Sequence, residues 1–279
     1  MAAPALSCSA RLGGPNTSGH DARGMAFVIL AGVTIGAALP ATNAHAGTWP
    51  VAPGETLVIA KYEGSSASET FDQDGGRTAV QARRDDAFSL NVERGLTRRL
   101  TFQGRAGWTR GEDGFADYAG RGPVELGLRY VVLGDDRSVV SLYAGASLTG
   151  EGRNAGYAAP GAGTADLEAR VLVGRSMTFA ARPAFAEVQL ARLDRSGLPD
   201  ETHLDLTLGI EPSSRWLLMA QAYAGQAEGV ASTPRWLKLE LSAVRRFGDW
   251  RLQAGWRQSV AGQDSPVEGG PVLAVWRSF

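Results

Sequence analysis

His203 is the side chain whose type and setting come closest to catalysis in this chain. It is the only histidine beyond the first 46 residues, in the run His203-Leu204-Asp205. Residues two apart on an extended strand share a face, so an imidazole and a carboxylate here could act together as a base. A lipid hydrolase built this way needs a serine nucleophile beside the histidine, and no His-x-Ser motif is present. The residues read better as a hydrogen-bonded rim histidine, and no catalytic residue is assigned.

A second set is acidic. Asp72, Asp74, Asp85 and Asp86 carry the oxygen ligands a divalent cation would take. The run from Phe71, FDQDGG, opens like a calcium loop but does not complete the twelve-residue pattern. A solvated loop is the stronger reading. No metal and no cofactor is expected.

The third set is larger and is the one that could shape a path. It comprises Arg105, Glu125, Arg129, Glu168, Arg170, Glu187, Asp205, Lys238, Glu240 and Arg257. Each stands at a polar position within an alternating apolar–polar run. Two readings fit them equally: an ion-pair network that fills an interior and stabilises it, or the constriction of a narrow pore.

The elements that must hold these side chains are strands. Trp236 to Trp256 shows the pattern most plainly. Leu237, Leu239, Leu241 and Ala243 share one face, and Trp236, Lys238, Glu240 and Ser242 the other. After Gly248-Asp249, Trp250, Leu252, Ala254 and Trp256 face one way, and Arg251, Gln253, Gly255 and Arg257 the other. Period-2 alternation across a two-residue turn predicts a hairpin. Twelve such strands can be laid out over 47–279. Connections after odd-numbered strands are longer, such as Gly64–Asp86, Gly150–Thr164 and Ala261–Gly270. Those after even-numbered strands are mostly short, such as Gly134–Arg137. Long–short alternation is the loop pattern of a transmembrane barrel. Near Pro183 the parity slips, which predicts a longer turn or a bulge.

Aromatic side chains fall where two interfaces would be. Trp216, Phe247, Trp250 and Phe279 sit beside short turns or the terminus. Trp108, Trp256 and Trp236 sit near the long connections. Charges on a lipid-facing wall would be costly, so the third set is expected to point inward. Gly107, Gly127, Gly145, Gly174, Gly209 and Gly255 share that parity, leaving room for large neighbours such as Tyr143 and Tyr223.

Composition agrees with this reading and narrows the partners. The 279 residues carry 28 basic and 29 acidic side chains, which gives no reason to expect nucleic acid. The apolar stretch Met25–Leu39, preceded by Arg11 and Arg23 and followed by Ala44-His45-Ala46, has the layout of a secretory signal peptide. Residues 1–46 are therefore expected to be a presequence and 47–279 a single barrel domain. The only cysteine, Cys8, lies in the presequence, so the barrel has no disulfide or thiolate chemistry.

The last residues, VLAVWRSF from Val272, resemble the C-terminal strand of bacterial outer-membrane proteins. Leu273, Val275 and Phe279 match that pattern, and Arg277 stands where an apolar residue is usual. The stretches GLTRRLTF from Gly95, ELGLRYVV from Glu125 and LDLTLGIEPSSRWLLMAQ from Leu204 resemble a group of proteobacterial outer-membrane barrels, channel- or porin-like and mostly of unassigned function. The resemblance implies recognition of Phe279 by the barrel-assembly machinery, membrane lipids as the surroundings and a small solute as a possible partner. The fold expected is all-β, an antiparallel transmembrane barrel of about twelve strands after a signal peptide. The function expected is a narrow passive channel or small-solute-binding barrel. The alternatives are a closed structural or surface-interaction barrel and, third, a lipid-modifying enzyme.

Overall fold

The computed structural model describes residues 47–112, 114–229 and 232–279, so the expected signal peptide lies outside the described residues. Thirteen strand segments follow one another. They are β1 (Thr56–Phe71), β2 (Arg77–Gly95), β3 (Leu100–Glu112), β4 (Asp117–Arg121), β5 (Val124–Gly134), β6 (Ser138–Leu148) and β7 (Ala165–Phe179). The rest are β8 (Arg182–Ser196), β9 (Glu201–Ser213), β10 (Trp216–Ala227), β11 (Arg235–Phe247), β12 (Trp250–Gln263) and β13 (Ser265–Ser278). Every neighbouring pair is antiparallel, and β1 pairs with β13 (Ile59 opposite Trp276), which closes the sheet.

β4 and β5 make a single stave. Both pair with β3, the one opposite Trp108–Glu112 and the other opposite Leu100–Arg105. The break falls at Gly122-Pro123, where proline has no N–H to give the ladder. The barrel is therefore twelve-stranded, as the alternation predicts.

The connections differ from expectation. Residues expected as the loops Gly64–Asp86 and Ala261–Gly270 are mostly strand. β1 and β2 run on to a turn at 72–76, and only Asp264 separates β12 from β13. β2 has 19 residues, against the roughly 9–11 that cross a bilayer. The wall thus stands well beyond the membrane at this end, where Gly, Ser and Asp composition disguises strand as loop. The irregularity expected near Pro183 is also absent. β7 and β8 pair without a slip, Thr178 opposite Pro183, across a two-residue turn at Ala180-Ala181. Both alanines have positive φ, 49° and 58°. Such turns normally use Gly or Asn, so composition does not announce this one.

The exterior is apolar around the waist. Leu126, Leu167, Leu190, Leu204, Leu241 and Leu273 are all exposed on the outer face. Trp216, Phe247, Trp250 and Phe279 ring the short-turn end, and Trp108 and Trp256 the other. Trp236 departs from that belt: its indole faces inward, edge-on to His203 at 5.6 Å between ring centres. An apolar waist between two aromatic girdles is the surface of a lipid-embedded wall. This is an outer-membrane type of transmembrane β-barrel, with the short turns on the periplasmic side.

Candidate functional site: the lumen

The lumen has a polar outer part and an apolar periplasmic floor. The floor is a cluster of Leu57, Phe185, Leu217, Met219, Val244, Ala274 and Trp276. Several of these lie in continuous apolar runs, such as Trp216-Leu217-Leu218-Met219, in which alternate residues serve lipid and floor. Alternation alone does not reveal such a floor, because both faces are apolar.

Into it runs the segment before β1. Trp49 packs on the floor, edge-on to Phe185 at 6.1 Å between ring centres. Gly174 makes the space: a Cβ there would stand 2.7 Å from the Trp49 ring. Four wall side chains hold the segment's backbone. Thr48 N–H donates to Glu187 Oε2 at 2.8 Å, and Ser141 Oγ donates to Thr48 O at 2.9 Å. Arg129 Nη2 donates to Trp49 O at 2.8 Å while pairing with Glu93 at 2.9 Å. Arg129 Nη1 also reaches the Gly47 carbonyl. Val51 N–H donates to Thr101 Oγ1 at 3.3 Å. Thr48 has no exposed surface, and Arg129 retains 1%.

Above the floor the charged residues form two connected groups. Arg257 bonds Glu240 through Nε and Nη2 (3.0 and 2.7 Å), pairs with Glu63 at 2.7 Å and lies over the Tyr223 ring at 4.6 Å. Lys61 joins Glu63 at 3.0 Å, and Arg105 stands 4.0 Å from it, half exposed. Across the lumen Arg170 chelates Glu168, reaches Glu125 at 3.5 Å and lies over the Tyr143 ring at 4.8 Å. Gly127 and Gly145 leave the space that the Tyr143 ring fills. Higher still, Lys238 pairs with Glu268, which Arg83 also holds at 3.0 Å.

The long connection 149–164 closes part of the outer mouth. Asn154 braces it through Gly150 and Ala162. Arg83 Nη1 donates to Gly156 O at 2.8 Å and Arg195 Nη2 to Asn154 O at 3.0 Å. Tyr157 OH donates to Glu201 at 2.5 Å, and this keeps the phenol proton on: burial first, then the hydrogen bond to Glu201, pushes its pKa up. Between this loop and the Arg257 group lies a cavity of about 320 Å³ lined by both signs, including Glu63, Arg83, Asp85, Lys238, Arg257 and Glu268.

The ten expected lumen residues thus fall into three places. Arg105, Glu125, Glu168, Arg170, Glu240 and Arg257 belong to the mid-lumen groups, and Asp205 stands on β9 opposite Tyr223 and Gln189. Lys238 lines the outer cavity. Arg129 and Glu187 instead hold the inserted segment. Composition could not separate these two, because their partners are main-chain atoms of Thr48 and Trp49. His203 bonds Glu201 at 2.6 Å, so its carboxylate partner is not the Asp205 that spacing suggested. Of the acidic set, Asp72 Oδ1 accepts the N–H of Asp74 and Gly76 in the β1–β2 turn. Asp85 takes Tyr118 inside, and Asp86 takes Tyr62 and Arg110 outside. Opposite faces of the wall cannot share a cation.

No family model and no curated protein matches the chain. Solved structures do. An outer-membrane channel from Pseudomonas putida F1 is similar at a TM-score of 0.67 and 12% identity, over 84% of this chain and 98% of that one. The translocator domain of the autotransporter NalP from Neisseria meningitidis is similar at 0.51 and 15% identity, over 85% and 90%. At such identities the likeness is one of fold, the bacterial outer-membrane β-barrel.

Proposed function

We propose that this protein is a narrow, gated passive channel for small polar solutes, with the Gly47–Val51 segment as its periplasmic stop. The observation that carries the reading is that the stop is extrinsic to the wall. β1 to β13 close without it, and it is held by one ring on the floor and a handful of hydrogen bonds from side chains. A twelve-stranded barrel is wider than the eight-stranded kind that side chains just fill. The outer cavity, with acidic and basic groups facing one another, suits a small solute bearing both charges, since each end would find a partner. Likeness of fold to an outer-membrane channel favours this reading.

A closed structural barrel is the second reading, and a specific observation favours it. The mid-lumen groups are nearly saturated with internal ion pairs, Glu240 being 1% exposed and bonded to Arg257, Ser242 and Gln253. A non-enzymatic role goes with both readings. The deciding measurement is planar-bilayer conductance of the protein and of a variant lacking residues 47–52. Small or rare openings in the first and frequent larger ones in the second support a gated channel. A folded but silent barrel in both cases overturns it.

A further inference from the structure

On the outer wall at the short-turn end, two arginines each lie between two aromatic rings and against no carboxylate among the described residues. Arg245 and Arg246 are adjacent in β11. Arg246 turns inward and chelates Glu211 at 3.0 and 2.6 Å. Arg245 turns outward, exposed, with its guanidinium 5.4 Å from the Trp216 ring centre and 4.7 Å from that of Phe247. On β13, Arg277 does the same between Trp250 (4.6 Å) and Phe279 (4.5 Å). Neither has a carboxylate within ion-pair distance among the described residues. The Nε of Arg277 is buried and donates to no acceptor among them.

Near the interface an outward cation costs little by itself and gains from an anion beside it. The rings hold each guanidinium at the girdle, where lipid headgroups meet acyl chains. A phosphodiester supplies that anion: it lies at this depth and accepts two parallel N–H bonds from one guanidinium. β12 separates the two arginines and their register differs by two residues, so they stand roughly 12 Å apart by strand geometry, the footprint of one or two headgroups. Arg277 also explains the departure from an apolar C-terminal pattern, since a headgroup contact gives a reason for charge there.

We propose that Arg245 and Arg277, with Trp216, Phe247, Trp250 and Phe279, form a binding site for the phosphate headgroup of an anionic glycerophospholipid of the periplasmic leaflet. The site is on the outside of the barrel and does not depend on whether the lumen conducts.

The test is native mass spectrometry of the purified barrel with equal amounts of phosphatidylglycerol and phosphatidylcholine of matched chains. Wild type should retain phosphatidylglycerol in preference by roughly tenfold or more, the scale expected for two arginines near an anionic surface. The double variant Arg245→Gln, Arg277→Gln should lose the preference. Arg175→Gln, which removes one exposed cation at the same end away from any aromatic stack, should keep it. Should the double variant fail to fold, Arg245→Gln alone, whose side chain is exposed, should reduce the preference severalfold. Equal retention of the two lipids by wild type overturns the proposal. So does an unchanged preference in the folded Arg245 variant, or a loss as large in Arg175→Gln.

Discussion

Thr48 donates its main-chain N–H to a carboxylate, Glu187 Oε2, that is 3% exposed and has no cationic side chain paired with it among the described residues. The other oxygen of Glu187 takes the amide of Gln189. A buried carboxylate held only by dipoles is half-compensated. Residue 47 lies beside it, a Cβ on Gly47 falling 3.7 Å from Glu187 Oε1. Cleavage after Ala46 would put a new ammonium group there. N-terminal sequencing of the envelope-extracted protein is accordingly expected to read Gly-Thr-Trp, and Glu187→Gln is expected to raise open probability in planar bilayers. A chain that retains residues before Gly47, or a variant with unchanged openings, would remove Glu187 from the latch.

Trp49 supplies the apolar half of the same latch. Trp49→Ala removes a large, partly buried ring from the floor; full burial of a large apolar side chain contributes about 1.5–3 kcal/mol, and partial burial roughly half of that. Docking of the segment should weaken by roughly threefold to tenfold by that figure. Limited proteolysis from the periplasmic side would show this as faster trimming of residues 47–55, with the barrel band unchanged on a heat-modifiability gel.

Arg105 and Arg257 should behave differently although both line the lumen. Arg105 is half exposed and touches Glu63 only at 4.0 Å, so Arg105→Ala should leave folding intact and shift any ion selectivity toward cations. Arg257→Ala strips the cation from Glu240, and breaking such a buried pair costs about 3–5 kcal/mol. The measurements are reversal potentials in a salt gradient for the first and urea unfolding for the second. Equal stability of the two variants would mean that the Arg257 group is hydrated.

The wall parity gives a sharper contrast. Leu239 faces lipid and Ser89 faces the lumen. Leu239→Arg should hinder assembly, a charge near the midplane costing about 2–4 kcal/mol, while Ser89→Arg should assemble normally. Heat-modifiability of the two variants checks it, and equal assembly would mean the faces are misassigned.

Asp135 gives a pH-dependent term outside the membrane. Its Oδ1 accepts the N–H of Arg137 at 2.8 Å and of Ser138 at 2.7 Å in the β5–β6 turn. These hydrogen bonds, Arg137 first, hold the carboxyl pKa below its ordinary value. A lowered folded pKa contributes stability above the ordinary carboxylate range, which is lost as pH falls through the lowered value. Asp135→Asn should therefore unfold more easily than wild type at neutral pH and match it in strong acid. Urea midpoints at the two pH values decide this.

How far the sequence reaches is plain from particular residues. Leu237 to Trp256 fixes a hairpin and its faces, because period-2 alternation admits only one assignment when one side meets lipid. The inward parity of Glu240, Arg257, Arg170 and Glu168 follows from the same cost of charge in hydrocarbon. Glu240 stands opposite Arg257 within that hairpin, and Glu168 two residues from Arg170 on one strand, but tertiary structure alone brought Glu63 of β1 to Arg257 and Glu125 of β5 to Arg170. It also decided the extent of the wall beyond the membrane, because outside hydrocarbon no penalty enforces alternation. The plug is the clearest case. Gly47 to Val51 has no periodicity and no motif, and its function lies in main-chain groups that any residue possesses. Only closure of the barrel brings Arg129, Ser141 and Glu187 around those groups, and only Gly174, with no side chain, lets Trp49 lie on the floor.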